Sequence, residues 1–256
     1  MTAALLPELA RIAEAAGREI LRHYRRPGME TRLKGDRTPV TAADEAAEAI
    51  ILPALAALAP AIPSVAEEAV AKGGLPAIDR RARFFLVDPL DGTREFLAGN
   101  GEFTVNIALI EDSRPVLGVV HLPALGTTYT GGPAGARLSR SGAPPEPIAA
   151  RPRPRDGVIV LASRSHNNGD ALDRYLAEME VAERIVAGSS LKFCRIAEGL
   201  ADLYPRFGRT MEWDTAAGHA VLSAAGGSVA TMASEPLAYG KPGFANPDFI
   251  ARGRWT

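Results

Sequence analysis

The apolar run Phe84-Phe85-Leu86-Val87 ends without transition in Asp88-Pro89-Leu90-Asp91-Gly92-Thr93, and no other feature restricts the fold as strongly. A continuous apolar stretch of strand length has no polar face to offer water, so it predicts a strand covered on both sides. The chain must therefore build in layers. Pro89 then fixes φ and lacks an N–H, while Gly92 permits a tight turn, so both carboxylates project from one loop at the strand's end. Asp-Pro and Asp-Gly taken alone are ordinary turn formers.

The surrounding pattern supplies the layers. Leu5, Leu9, Ile12, Ala16 and Ile20 recur three or four apart between charged residues, which predicts an amphipathic helix over residues 5–24. Thr41 is placed to cap a second helix over 42–58, which Pro53 should kink or shorten. Ser64-Val65-Ala66 reads as a strand running directly into Glu67-Glu68. Residues 103–110 and 116–120 alternate as an antiparallel hairpin. Five prolines lie between residues 141 and 157, which marks a connection and the expected boundary between halves 1–145 and 146–256. Beyond it strands and helices alternate: strand 158–162, helix 169–179, strand 181–186, helix 191–200, strand 201–205 and helix 214–225, the last stopped by Gly226-Gly227. The N-terminal half is thus read as α+β and the C-terminal half as α/β.

Thirty acidic residues against 29 basic ones leave a net charge of −1, so no general field draws a nucleic-acid polymer and any anion must be recognised locally. The single cysteine, Cys194, excludes an internal disulfide framework and fits a reducing compartment. Cys194 itself reads as a small buried apolar residue and His219 as structural. No signal peptide or transmembrane segment is visible. The expected location is the cytoplasm, or the periphery of the inner membrane.

Two acids on one loop repel each other unless a cation lies between them. Magnesium takes hard oxygen ligands, so Asp88, Asp91, the carbonyl of Leu90 and Glu67 form a candidate set. The segment Asp88-Pro89-Leu90-Asp91-Gly92-Thr93 resembles the signature of the lithium-sensitive, metal-dependent sugar and nucleotide phosphatases, the inositol monophosphatase superfamily. Glu67-Glu68 matches its acidic pair and Trp213-Asp214-Thr215-Ala216-Ala217-Gly218 its second signature. The run from Asp91 through Arg94-Glu95-Phe96, with Gly101-Glu102-Phe103-Thr104-Val105-Asn106-Ile107-Ala108-Leu109, is similar to its 3'(2'),5'-bisphosphate nucleotidases. So are Ser163-Arg164-Ser165-His166, Gly188-Ser189-Ser190-Leu191-Lys192-Phe193-Cys194 and Leu203-Tyr204-Pro205-Arg206-Phe207-Gly208.

The resemblance implies a layered αβαβα sandwich of the sugar-phosphatase type, with a metal-binding N-terminal half and a substrate-binding C-terminal half. It implies two or three magnesium ions held by Glu67, Asp88, Asp91, Asp214 and the carbonyl of Leu90. Asp44, with Thr93, matches the pair that orients and deprotonates the attacking water, and Asp91 is counted with them as catalytic. Gly92, Thr93 and Asp214 are expected at the scissile phosphate, Lys192 and Arg206 at the phosphate that stays, and Ser189 and His166 along the nucleotide. Lys34-Gly35-Asp36-Arg37 matches a segment that can fold over the metals as a lid. Relatives commonly carry serine where this chain has Ala66, and lysine where it has Arg94. The implied reaction is hydrolysis of adenosine 3',5'-bisphosphate to AMP and phosphate, in support of sulfur assimilation, with a homodimer left open. The rival readings are an inositol-phosphate or fructose-1,6-bisphosphate phosphatase, and a non-catalytic protein that binds a cation or a nucleotide.

Overall fold

In the computed structural model, residues 2–25, 31–33, 39–74, 78, 82–141, 143–164 and 169–255 are described. Leu9, Ala16 and Ile20 of the predicted stripe are fully buried along helix α1 (Leu6–His23), joined by Ala13, while Leu5 and Ile12 are half-buried. A short antiparallel ladder, β1 (Thr31–Leu33) with β2 (Pro39–Thr41), leads into α2 (Ala42–Leu58). Helix α2 is not shortened at Pro53. A proline inside a helix costs about 3 kcal/mol, whereas burying a leucine or isoleucine stabilises by about 1.5–3 kcal/mol. The fully buried Ile51 and Leu55 on either side of Pro53 together outweigh the penalty.

The chain then runs through β3 (Ser64–Ala66), α3 (Glu67–Ala71), β4 (Phe84–Asp91), α4 (Thr93–Ala98), β5 (Thr104–Glu111), β6 (Arg114–Leu122), β7 (Thr127–Gly132), β8 (Gly135–Arg140) and β9 (Glu146–Ile148). Strands β3 to β9 form one sheet in sequence order, parallel between β3 and β4 and antiparallel elsewhere. The proline-rich connection thus contributes a strand of its own, β9, at the sheet's edge, where a missing N–H is tolerated. Next come β10 (Val158–Ser163), α5 (Gly169–Leu176), β11 (Val181–Ala187), α6 (Leu191–Ala197), β12 (Leu203–Arg206), β13 (Thr210–Met211), α7 (Glu212–Ala224), β14 (Ser228–Thr231), β15 (Ala245–Asn246) and β16 (Phe249–Arg252). Helix α6 stops short of residue 200 because Gly199 turns to φ 75°, and Leu200 N–H returns to the carbonyl of Arg195. The second sheet has the order β11-β10-β12-β16-β14. It is parallel around β10 and antiparallel around β16, so the sheet is mixed.

Alternation along the central strands builds the five layers. Phe85 and Val87 of β4 pack with Leu9 and Ile20 of α1 and Ile51 of α2, whereas Phe84 and Leu86 face Phe193 and Ile196 of α6 and Val221 of α7. The second sheet closes over the other side of α6 and α7 through Tyr204, Phe249 and Ala251. Its outer face, with Val160, Leu203 and Ile250, is covered by Leu176 of α5. The order is α1/α2, sheet, α6/α7, sheet, α5, which is the expected αβαβα sandwich. Helix α7 lies directly on the first sheet: a Cβ at Gly131 would come 2.5 Å from the Val221 Cα and one at Gly118 2.3 Å from the Ala217 carbonyl oxygen. That contact fixes where the N-terminus of α7 points. Among the described residues no helix is long and apolar enough to cross a membrane.

Candidate active site

Residues three apart on a regular strand point to opposite faces, so Asp88 and Asp91 could not serve one site from an unbroken β4. The register shows how they do. Asp88 pairs with Asn106 and Asp91 with Thr104, so two residues of β4, Pro89 and Leu90, stand opposite one of β5, Val105. The extra residue is a bulge at Pro89-Leu90, and it returns Asp91 to the face of Asp88. Asp88 Oδ1 closes the turn by accepting the Leu90 N–H at 3.0 Å. Gly92 follows at φ 88°, a left-handed conformation that disfavours a side chain, and its carbonyl accepts the Phe96 N–H at 2.9 Å to start α4.

The face so formed looks toward the start of α7. Asp214, in the first turn of that helix, accepts the Met211 N–H on Oδ2 at 2.8 Å. One carboxylate oxygen from each of Glu67, Asp88 and Asp214 lies within 4.8 Å of the other two. Burial, reinforced by the negative charges of Asp91 and Glu67, pushes the Asp214 carboxyl well above the usual carboxylate range, against the Met211 N–H and Arg206. Desolvated acids this close repel, and a divalent cation with a preference for hard oxygens is what the donor set fits. Asp91 stands beside these three. Its Oδ2 accepts the Ser190 N–H at 2.6 Å, the Asn106 amide at 3.4 Å and the Thr104 hydroxyl at 3.5 Å. Burial raises its carboxyl too, opposed chiefly by the positive charge of Lys192.

Asp44 belongs to the first turn of α2 and is itself part of the cap. Its Oδ2 accepts the N–H of Thr41 at 2.8 Å and the Thr41 hydroxyl at 2.6 Å. Its Oδ1 accepts the Thr93 hydroxyl at 3.3 Å, and Thr93 Oγ1 also lies 3.4 Å from the Leu90 carbonyl oxygen. One oxygen is thereby anchored and the other faces the loop carrying Asp88 and Asp91.

Lys192 and Arg206 are both buried, at 4% and 5% exposure. Lys192 Nζ donates to the carbonyls of Ser189 at 2.7 Å and Ala187 at 3.2 Å. Burial pulls its amine down to about 8, with Asp91 opposing and Arg206 assisting. Arg206 Nη2 donates to the Arg209 carbonyl at 3.1 Å, while its buried Nε has no hydrogen-bond partner among the described residues. Ser189, left-handed at φ 45°, forms the tight corner between β11 and α6. His166 and the segment Lys34 to Arg37 lie outside the described residues. Cys194 is fully buried, and burial raises its thiol well above the ordinary value. His219 is held by the Tyr239 hydroxyl at 3.0 Å and is pulled down to about 3 by burial, so both have the structural character expected of them.

Sequence reasoning passed over Ser190 and Asn106. Besides its bond to Asp91, the Ser190 backbone is tied through its Oγ, which donates to the Asp214 carbonyl at 2.8 Å and accepts from the Asn106 amide at 3.0 Å. These two residues join the Asp91 loop to α7. The available signal was a polar side chain at Asn106, in the middle of an otherwise apolar strand and opposite Asp88.

Comparison with known proteins gives a consistent picture. The model of the inositol monophosphatase family matches residues 4–253. The 3'(2'),5'-bisphosphate nucleotidase CysQ of Salmonella typhimurium is 45% identical over 251 residues, covering 96% of this chain and 98% of that protein. The crystal structure of CysQ from Bacteroides thetaiotaomicron superposes with a TM-score of 0.80 at 36% identity, covering 96% of both chains. An inositol monophosphatase from Anabaena superposes with a TM-score of 0.79 at 25% identity, covering 99% of this chain and 92% of its own.

Proposed function

The chain belongs to the inositol monophosphatase family of metal-dependent phosphatases, and from that premise we propose that it is a 3'(2'),5'-bisphosphate nucleotidase, releasing phosphate from adenosine 3',5'-bisphosphate to leave AMP. One observation carries the choice of a bisphosphate over a monophosphate substrate. Next to the carboxylate cluster lies a second, buried and cationic end, Lys192 with Arg206, electrostatically linked to the first through Asp91. A site for a single phosphate has no need of that second end; a substrate bearing two phosphates does. Arg206 retains a donor at Nε, and guanidinium groups grip phosphate in a bidentate manner.

Glu67, Asp88, Asp91, Asp214 and the carbonyl of Leu90 are the residues that would hold magnesium, two or three ions in our reading. When bound, such cations acidify water and offset charge on the oxygens that enter and leave. The protein's own groups supply the rest. Asp44 Oδ1 receives the proton of the attacking water, directly or through Thr93 Oγ1, while Thr41 keeps its Oδ2 from turning away. As the water oxygen bonds to phosphorus, the bond to the 3' oxygen breaks in line. Gly92 and Thr93 offer backbone N–H groups to the transferring phosphate. Lys192 and Arg206 hold the other phosphate, with Ser189 and His166 along the nucleoside. The product AMP fits a role in clearing a by-product of sulfur assimilation.

A phosphate-release panel with magnesium tests this proposal. Adenosine 3',5'-bisphosphate should turn over faster than inositol 1-phosphate or fructose 1,6-bisphosphate, and lithium should inhibit. Faster release from inositol 1-phosphate would assign the chain to a different substrate within its family, and binding of the nucleotide without release would make it a non-catalytic relative.

A further inference from the structure

Glu67 opens α3, a helix of five residues. So short a helix does not sustain itself, and its direction must be set from outside. The ordinary device is an N-cap side chain that accepts the N–H groups of the second and third helical residues. Here the N-cap is Ala66, which has an extended backbone at φ −124° and ψ 145° and no side-chain acceptor. The two N–H groups are nonetheless bound. Those of Glu68 and Ala69 donate to Glu48 Oε2 at 3.0 and 3.3 Å.

Glu48 comes from a different helix, α2, and it is buried there at 8% exposure. It lies one turn beyond Asp44, on the same side of α2. One helix therefore carries two carboxylates with separate tasks: Asp44 reaches the Thr93 hydroxyl, and Glu48 reaches the start of the helix that bears Glu67. A second link, Lys72 Nζ to Glu45 at 2.9 Å, ties the far end of α3 to α2. Its side chains are well exposed, so it adds little beyond direction.

We propose that Glu48 is a positioning residue for the metal site: it caps α3 from the neighbouring helix in place of the missing N-cap side chain, and so holds Glu67 in the carboxylate cluster in fixed relation to Asp44. The inference rests on reading Glu67 as a metal ligand. It also assigns a consequence to Ala66, whose lack of a hydroxyl makes the contact from α2 necessary.

The test is magnesium binding by isothermal titration calorimetry on the full chain without substrate, with thermal unfolding of each variant alongside. Residues that orient a metal ligand change metal affinity by about 10–100-fold, and Glu48→Ala should weaken magnesium binding by about tenfold. Adding Ala66→Ser to Glu48→Ala supplies an acceptor for the same two N–H groups and should restore most of that loss. If Glu48→Ala does not fold, Glu48→Met, which fills the space without an oxygen acceptor, with and without Ala66→Ser carries the same comparison, and affinity must rise with the serine. A folded Glu48→Ala protein with wild-type magnesium affinity overturns the proposal, as does a serine that restores the melting temperature without restoring affinity. Glu67→Gln separates the two layers of the argument. Affinity unchanged in that variant defeats the reading of Glu67 as a ligand, whereas affinity lost there but kept in Glu48→Ala defeats only the role of Glu48.

Discussion

Lys192 is the residue at which burial and function meet most sharply. Its amine is buried, favoured in its charged form by Asp91 and disfavoured by Arg206, and burial holds it at about 8 rather than at the usual lysine value. The sign follows directly. The charged form is lost in the folded protein as pH rises through about 8, while the unfolded chain keeps its proton to higher pH, so the cost of burying the charge is relieved and stability rises with pH over that interval. In the role proposed for Lys192, substrate recognition moves the other way, because a neutral amine no longer attracts a phosphate. We expect kcat/KM for adenosine 3',5'-bisphosphate to decline above about pH 8, and Lys192→Arg, whose guanidinium stays charged, to remove that decline. A decline that persists in the arginine variant would assign the titration to another group.

At the scale of elements, α2 shows how a local folding signal becomes part of the site. Thr41 begins the helix, and the same residue grips Asp44 Oδ2 through both its N–H and its hydroxyl. Thr41→Ala should cost about 1 kcal/mol as a lost cap, which is a fall in melting temperature of about 2–4 °C for a chain of this size. It should also lower kcat by about tenfold through the loosened Asp44. Thr41→Ser, which keeps the hydroxyl, should recover both, and calorimetry with steady-state rates checks the pair. Strong periods and caps made α1, α2, β4 and α7 legible in the sequence. Strands β7 and β8 were not, because Thr127-Thr128-Tyr129-Thr130-Gly131-Gly132 and Gly135-Ala136-Arg137-Leu138 take their place from pairing with β6 and from α7 above them rather than from apolar alternation. Glu67, Asp88 and Asp214, which the structure brings together, lie in motifs that are local in sequence. The ties of Ser190 to Asp91 and of Glu48 to Glu68 could not be read, since nothing within a short window announces a hydrogen bond spanning 99 or 20 residues.

On the proposed reading, the whole molecule places chemistry and selection on different sheets, joined through the helices between. The first sheet supplies Asp88 and Asp91, α7 supplies Asp214, and the second sheet with α6 supplies Arg206 and Lys192. With a net charge of −1, the molecule has no overall field to gather phosphates, so the proposed selectivity rests on the buried cationic end. Such a cationic end separates a substrate with a second phosphate from one without it. The most direct test is the ratio of kcat/KM for adenosine 3',5'-bisphosphate to that for inositol 1-phosphate, measured with saturating magnesium in the wild type and in Arg206→Ala. A lost hydrogen-bonded charge is worth about 1.5–3 kcal/mol, or roughly 10–100-fold, and that loss should fall on the bisphosphate alone, collapsing a ratio that starts above one. Equal losses for both substrates, or a wild-type ratio below one, would rule out Arg206 as the group that selects the second phosphate.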